Sequence, residues 1–351
     1  MSLLESTVVN IKELDLETIS EVKNYQNKLT KPQGSLGVLE EISIQLGGIT
    51  GQKCPDIEKK AVVVMAADHG VVAEGISAFP SEVTPQMVHN FIQGGAAINV
   101  LSRHTGADVF VVDVGVAATI DHPRVLSYKI RPGTGNMAQE PAMTRAEAIQ
   151  ALEVGVRVAT DLIGRGYRML ATGEMGIGNT TASSALIAAF LGVSAVEVTG
   201  KGTGIKSETI KHKAEIIDRA IAVNQPNPED PIDVLAKVGG LEIAALSGLI
   251  LAAAANRTPV VIDGFISSAA ALVAQKIAPC SLGYMIASHC SAEMAHRKLL
   301  QYIGLKPVLE LEMRLGEGTG AVLAFPLIEA AVKIVKEMAT FESAGVAGAN
   351  D

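Results

Sequence analysis

Residues Arg168 to Thr181 read R-M-L-A-T-G-E-M-G-I-G-N-T-T: a short apolar run, then a glycine-rich turn, then small polar residues at the head of an apolar stretch. That is the grammar of a strand feeding a helix through a tight loop. Three other runs repeat it. AVVVMAA (Ala61 to Ala67) ends at Asp68, His69 and Gly70, DVFVVDV (Asp108 to Val114) ends at Gly115, and PVVIDGF (Pro259 to Phe265) carries Asp263 and Gly264. Helical patterns fit between them at Thr84 to Leu101, Thr144 to Ile163, Thr180 to Leu191, Ser207 to Val223, Gly239 to Ala255 and Ser291 to Ile303. Alternation of this kind predicts an α/β fold with a parallel sheet flanked by helices. In such sheets ligands bind outside the carboxyl ends of the strands, so the polar tails of these runs should converge on one rim.

The 351 residues hold 29 Lys and Arg against 37 Asp and Glu, a formal net charge of −8. With 48% hydrophobic residues and 19% charged, the chain has material for a large core, and intrinsic disorder is excluded. The acidic balance and the 3% of aromatic residues argue against a nucleic-acid partner, which would need clustered Lys and Arg beside stacking rings. Cys54, Cys280 and Cys290 are odd in number and widely spaced, so neither a disulfide framework nor a zinc ribbon is expected. The start, MSLLESTVVN, lacks the basic and apolar regions of a signal peptide, which points to the cytoplasm. The uncharged run Met175 to Val196 is interrupted by Gly178, Asn179, Thr180 and Thr181, unlike a membrane span of ~20 apolar residues. Residues 1–50 read as helical, as does the segment from Phe325, so a small helical domain from 1–50 plus 325–351 beside an α/β domain at 51–324 is expected.

Four motifs could carry chemistry. In TGEMGIGNTT the glycines at 176 and 178 let backbone N–H groups approach a ligand, and Asn179, Thr180 and Thr181 add donors at a helix N-terminus. This suits an anion such as a phosphate; an ordinary capped turn is the alternative. It is neither a Walker A loop nor a dinucleotide fingerprint, which disfavours a nicotinamide-dependent dehydrogenase. TGKGTG (Thr199 to Gly204), followed by Lys206, Lys211 and Lys213, could complete a phosphate clamp or be a loop before a solvated helix face. In RLGEGTGA (Arg314 to Ala321), Glu317 stands between glycines and could act as a general base if its surroundings raise its pKa; Glu174 is a second carboxylate, at a strand end. Either could instead cap a helix or form an ion pair. Finally, Ser81, Gln86 and Met87 could line a pocket for a flat aromatic ligand, although Met87 also suits a core. Asp68 and His69 read best as a strand-end network, and Ser291 as a helix cap.

Taken in order from residue 31 to residue 321, the stretches KPQGSLGVLE, AADHGV, SEVTPQMVHNFIQGGAAIN, TGEMGIGNTT, GKGTG, VGGLEIAALSG, IDGFI, SAEMAH and RLGEGTGA resemble the nicotinate-nucleotide:dimethylbenzimidazole phosphoribosyltransferase family. The resemblance implies a Rossmann-like sheet with a small helical domain, a homodimer, and no cofactor or metal. It implies exchange of nicotinate in nicotinate mononucleotide for 5,6-dimethylbenzimidazole, giving α-ribazole 5′-phosphate. By the same resemblance Glu317 is the general base and Glu174 orients the ribosyl group or the base. Phosphate and ribose would lie against Gly176, Gly178, Asn179, Thr180, Gly202, Thr203, Lys213, Gly264 and Ser291. The benzimidazole would lie against Ser81, Gln86, Met87 and Leu315. A silent nucleotide-binding subunit is the competing reading, and the presence of both Glu317 and Glu174 counts against it.

Overall fold

Six strands, all parallel, form one sheet: β1 Lys60–Ala67, β2 Asp108–Gly115, β3 Val125–Ser127, β4 Met169–Met175, β5 Val260–Ile262 and β6 Met285–Ala287, in the order β3-β2-β1-β4-β5-β6. A computed structural model describes residues 1–200 and 207–347 of the chain. The chain moves outward from β1 to β3, then returns to lay β4 on the other side of β1. The strand order therefore reverses between β1 and β4, and a crevice opens at their carboxyl ends, as in Rossmann-type sheets.

The near-continuous apolar sequence of β1 follows from burial on both faces. Ala61, Val63, Met65 and Ala67 face a core shared with helices Arg145–Gly164, Leu241–Ala255 and Phe265–Ile277. Val62, Val64 and Ala66 face the opposite core, with Ile98, Phe325 and Ile328. Helix Leu241–Ala255 is apolar almost all round and packs along helix Arg145–Gly164.

The four expected strands are present, and two more join them. β3 and β6 have three residues each, too short for a β-branched run to stand out from the loops around it. The stretch expected as one helix from Thr84 to Leu101 is two, Val83–Gln93 and Ala97–Thr105. Gly94, at φ +83°, ends the first of them in a left-handed conformation that glycine adopts without strain. The helix expected from Ser291 starts at His296, with Ala295 as its N-cap; Ser291 lies ahead of it and is not a cap. Its backbone N–H donates to His296 Nδ1 at 2.7 Å.

The two ends of the chain meet. Leu29 pairs antiparallel with Thr340, with Thr30 N–H donating to the Ala339 carbonyl at 3.0 Å and Phe341 N–H to the Lys28 carbonyl at 2.9 Å. Helix Val38–Thr50 packs on helix Thr319–Glu337, whereas Leu4 and Ile11 join the core on the other face of the sheet. Among the described residues no helix is long and apolar enough to cross a membrane.

Candidate active site

The strand ends converge as the pattern predicts. Glu174 closes β4, Asp263 follows β5, and Glu317 precedes helix Thr319–Glu337. All three carboxyl groups are buried. Gly316, Glu317 and Gly318 have φ of +87°, +63° and +94°, so Glu317 is held in a left-handed conformation that an L side chain rarely adopts. Three contacts impose it. Glu317 N–H donates to Glu174 Oε1 at 3.2 Å. Asp263 accepts from Gly318 N–H at 3.1 Å and from Ala321 N–H at 3.0 Å, capping helix Thr319–Glu337. The Glu317 carbonyl lies so close to β4 that a Cβ on Gly173 would stand 2.5 Å from it. The backbone of this one residue is thereby fixed from two strands.

The side chains are fixed as well. Glu317 Oε2 accepts from the Ile98 N–H at 3.4 Å, in the first turn of helix Ala97–Thr105, and Glu174 Oε2 accepts from the Asn179 amide at 2.5 Å. Burial and the neighbouring Asp263 raise the pKa of Glu317, against the Ile98 N–H, which lowers it. Burial pushes Glu174 up to about 8, helped by the negative charges of Asp263 and Glu242. Burial likewise raises Asp263, with His289 opposing. Near neutral pH, then, Glu174 is mostly protonated. One of its oxygens accepts from the loop of Glu317 and the other from Asn179.

Above these carboxyl groups lies a cleft of about 420 Å³. Two helices point their N-termini into it, Asn179–Leu191 with N-cap Gly178 and Phe265–Ile277 with N-cap Gly264, and neither cap supplies a side-chain hydrogen bond. Uncapped N–H groups and the positive ends of two helix dipoles therefore face the same space, which favours an anion. Lys213, buried behind this wall, donates from Nζ to Thr180 Oγ1 at 2.7 Å; burial lowers its pKa to about 8. The opposite wall is apolar, built from Phe79, Val83, Met87 and Leu315.

Of the residues expected at the site, Glu174, Glu317, Gly176, Asn179, Thr180, Gly264, Ser291, Met87 and Leu315 line this cleft together. Lys213 reaches it through Thr180. Gly178 is not on the lining; it packs against Val72 and His69. Ser81 and Gln86 also stand off the lining, and Gln86 is exposed on helix Val83–Gln93. Gly202 and Thr203 lie outside the described residues. Phe79, His289, Glu293 and Arg314 line the cleft without having been singled out for it. Arg314 opens the RLGEGTGA motif and could have been found there, whereas Phe79 carries no local signal.

A family model described as phosphoribosyltransferase matches residues 11–346. Over 347 residues the chain is 57% identical to a nicotinate-nucleotide–dimethylbenzimidazole phosphoribosyltransferase of Chloroflexus aggregans, spanning 99% of this chain and 98% of that one. The chain belongs to this phosphoribosyltransferase family. A homologue of the same name from Geotalea uraniireducens is 56% identical over 348 residues, 99% of each chain. The crystal structure of the phosphoribosyltransferase of that name from Thermus thermophilus superposes with a TM-score of 0.91 at 46% identity, covering 96% of this chain and 100% of that one. The fold and the length of a phosphoribosyltransferase of this family are thus both present.

Proposed function

We propose that this phosphoribosyltransferase moves the phosphoribosyl group of nicotinate mononucleotide to 5,6-dimethylbenzimidazole, forming α-ribazole 5′-phosphate with Glu317 as general base. The observation that carries the proposal is the placement of Glu317. It is a buried carboxylate with a raised pKa, fixed in a left-handed loop on a cleft whose other walls suit a phosphate and a flat apolar ring.

The chemistry needs few groups. A ring nitrogen of the benzimidazole attacks C1′ from the face opposite nicotinate, and the C1′–N bond to nicotinate breaks with inversion. The bonding pair goes to the pyridine nitrogen, so nicotinate leaves without needing an acid. The benzimidazole, now cationic, gives its N–H proton to Glu317. The same carboxylate offsets positive charge building on the ribosyl carbon. The helix N-termini at Asn179 and Phe265, with Lys213 behind Thr180, suit the 5′-phosphate. Met87, Val83 and Leu315 suit the benzimidazole. Gly178 supports this arrangement as the cap of its helix, and Glu174 as the acceptor that holds Glu317.

The same reading treats residues 1–50, with the C-terminal segment from residue 325, as a small helical unit beside the α/β body; the pairing of Leu29 with Thr340 supports it. It also holds the enzyme to be a homodimer acting in the cytoplasm, with no nucleic-acid partner. Exposed Met294 and Leu311 offer apolar surface that a second copy would cover, and the net charge of −8 disfavours nucleic acid. The test of the reaction mixes purified protein with both substrates. Nicotinate and α-ribazole 5′-phosphate should form with both and with neither alone; nucleotide binding without product would overturn the assignment.

A further inference from the structure

Beneath the turn Gly176–Gly178 lies a buried ion pair that the reaction above does not use. His69 follows β1 and Glu242 stands in the first turn of helix Leu241–Ala255; His69 Nε2 and Glu242 Oε1 are 2.7 Å apart, and both side chains are sealed from solvent. The pair is packed directly under the turn. A Cβ on Gly176 would stand 3.3 Å from His69 Nε2 and 3.4 Å from Glu242 Oε1, and one on Gly178 would stand 3.3 Å from His69 Cβ. Gly176 lines the cleft, and Gly178 caps the helix whose N-terminus faces it.

The charged groups facing His69 are Glu242 and the adjacent Asp68, both acidic, and Glu242 in turn faces Glu174. Burial alone would leave His69 neutral, but the two carboxylates outweigh it and raise its pKa. Burying such a pair costs more than filling the same space with apolar side chains. Mere packing does not call for it. What it supplies is two polar side chains locked on each other in one position, a rigid floor under the backbone of the turn.

We infer that the His69–Glu242 pair is a positioning element of the cleft: it props the Gly176–Gly178 turn at the N-terminus of helix Asn179–Leu191, where the phosphate of a nucleoside monophosphate binds. The identity of that nucleotide rests on the reaction proposed above. Neither side chain touches the ligand; both act through the turn.

The test is calorimetric binding of nicotinate mononucleotide to the full-length protein at one pH, for the wild type, Glu242→Gln, Glu242→Ala and His69→Ala. The readout is the ratio of each variant's Kd to that of the wild type. Gln keeps an oxygen for His69 Nε2 and so keeps the support, whereas Ala on either side removes it. Glu242→Gln should therefore bind within about threefold of the wild type. Glu242→Ala and His69→Ala should bind about tenfold more weakly. Wild-type affinity in the alanine variants, or no recovery of affinity in Glu242→Gln, overturns the inference and leaves the proposed reaction standing. If one alanine variant does not fold, the other decides. No binding of the nucleotide by the wild type would overturn the reaction and this inference together.

Discussion

The backbone N–H of Glu317 donates to Oε1 of Glu174 across 3.2 Å of buried space, tying the loop before helix Thr319–Glu337 to the end of β4. One carboxyl group thus shapes the loop that carries the other. Because burial pushes Glu174 up to about 8, it does so mostly in its protonated form near neutral pH.

A neutral replacement should therefore be mild. Glu174→Gln keeps one acceptor oxygen and should retain turnover within about tenfold, whereas Glu174→Ala strands two buried donors, each worth about 1–3 kcal/mol, and should lose about 100-fold or more. The pH dependence of stability carries a sign. The folded protein holds the Glu174 proton up to about 8, above the unfolded value, so this contribution is present at low pH and lost as pH rises through about 8. Urea titrations across that window should show wild-type stability falling with pH and a shallower fall in Glu174→Gln.

Much of this architecture is legible in the amino-acid sequence, and the exceptions have physical causes. The run at Ala61 and the strand from Met169 are buried on both faces, and the run at Asp108 is buried from Val111 onward, so each carries enough apolar residues to read as a strand. β3 and β6 offer three residues each, and their pairing with β2 and β5 is a property of the sheet rather than of the local chain. Glycines beside polar residues mark the loops of Glu174 and Glu317, because close backbone approach there leaves no room for a Cβ. Asp263 reads only as a strand-end polar residue. Its part in fixing Glu317 depends on Gly318 and Ala321, more than fifty residues further along the chain. Gln86 and Met87 are neighbours on helix Val83–Gln93, yet only Met87 turns toward the cleft, a matter of helix phase, and Ser81 lies in the turn before that helix.

Gly173 is the position where β4 admits the Glu317 loop. A Cβ there would meet the Glu317 carbonyl at 2.5 Å and Val64 Cγ2 at 3.2 Å. Gly173→Ala should displace the loop, costing about 1–3 kcal/mol of stability and at least about 100-fold in turnover. Denaturant melts alongside initial rates would check it; turnover within twofold of wild type would show that the close approach does not matter.

Asp263 should be the more costly residue for the fold. Asp263→Ala leaves the N–H groups of Gly318 and Ala321 buried without acceptors and removes the cap of helix Thr319–Glu337, for a loss of about 2–4 kcal/mol. Asp263→Asn retains one oxygen and should lose about half as much. Equal stabilities of wild type and Asp263→Ala in urea would contradict the capping role.

The central claim is that Glu317 takes the proton of the incoming base, and the most direct measurement is turnover by Glu317→Gln beside its binding of nicotinate mononucleotide. Gln preserves size and an acceptor for the Ile98 N–H but cannot take a proton. The account predicts a folded variant with a nucleotide Kd within about threefold of wild type and a kcat lower by about 10²–10⁴-fold. The rate of the wild type should fall as pH drops below an apparent pKa higher than that of an ordinary glutamate. Unchanged kcat in Glu317→Gln, with the nucleotide still bound, would contradict the account.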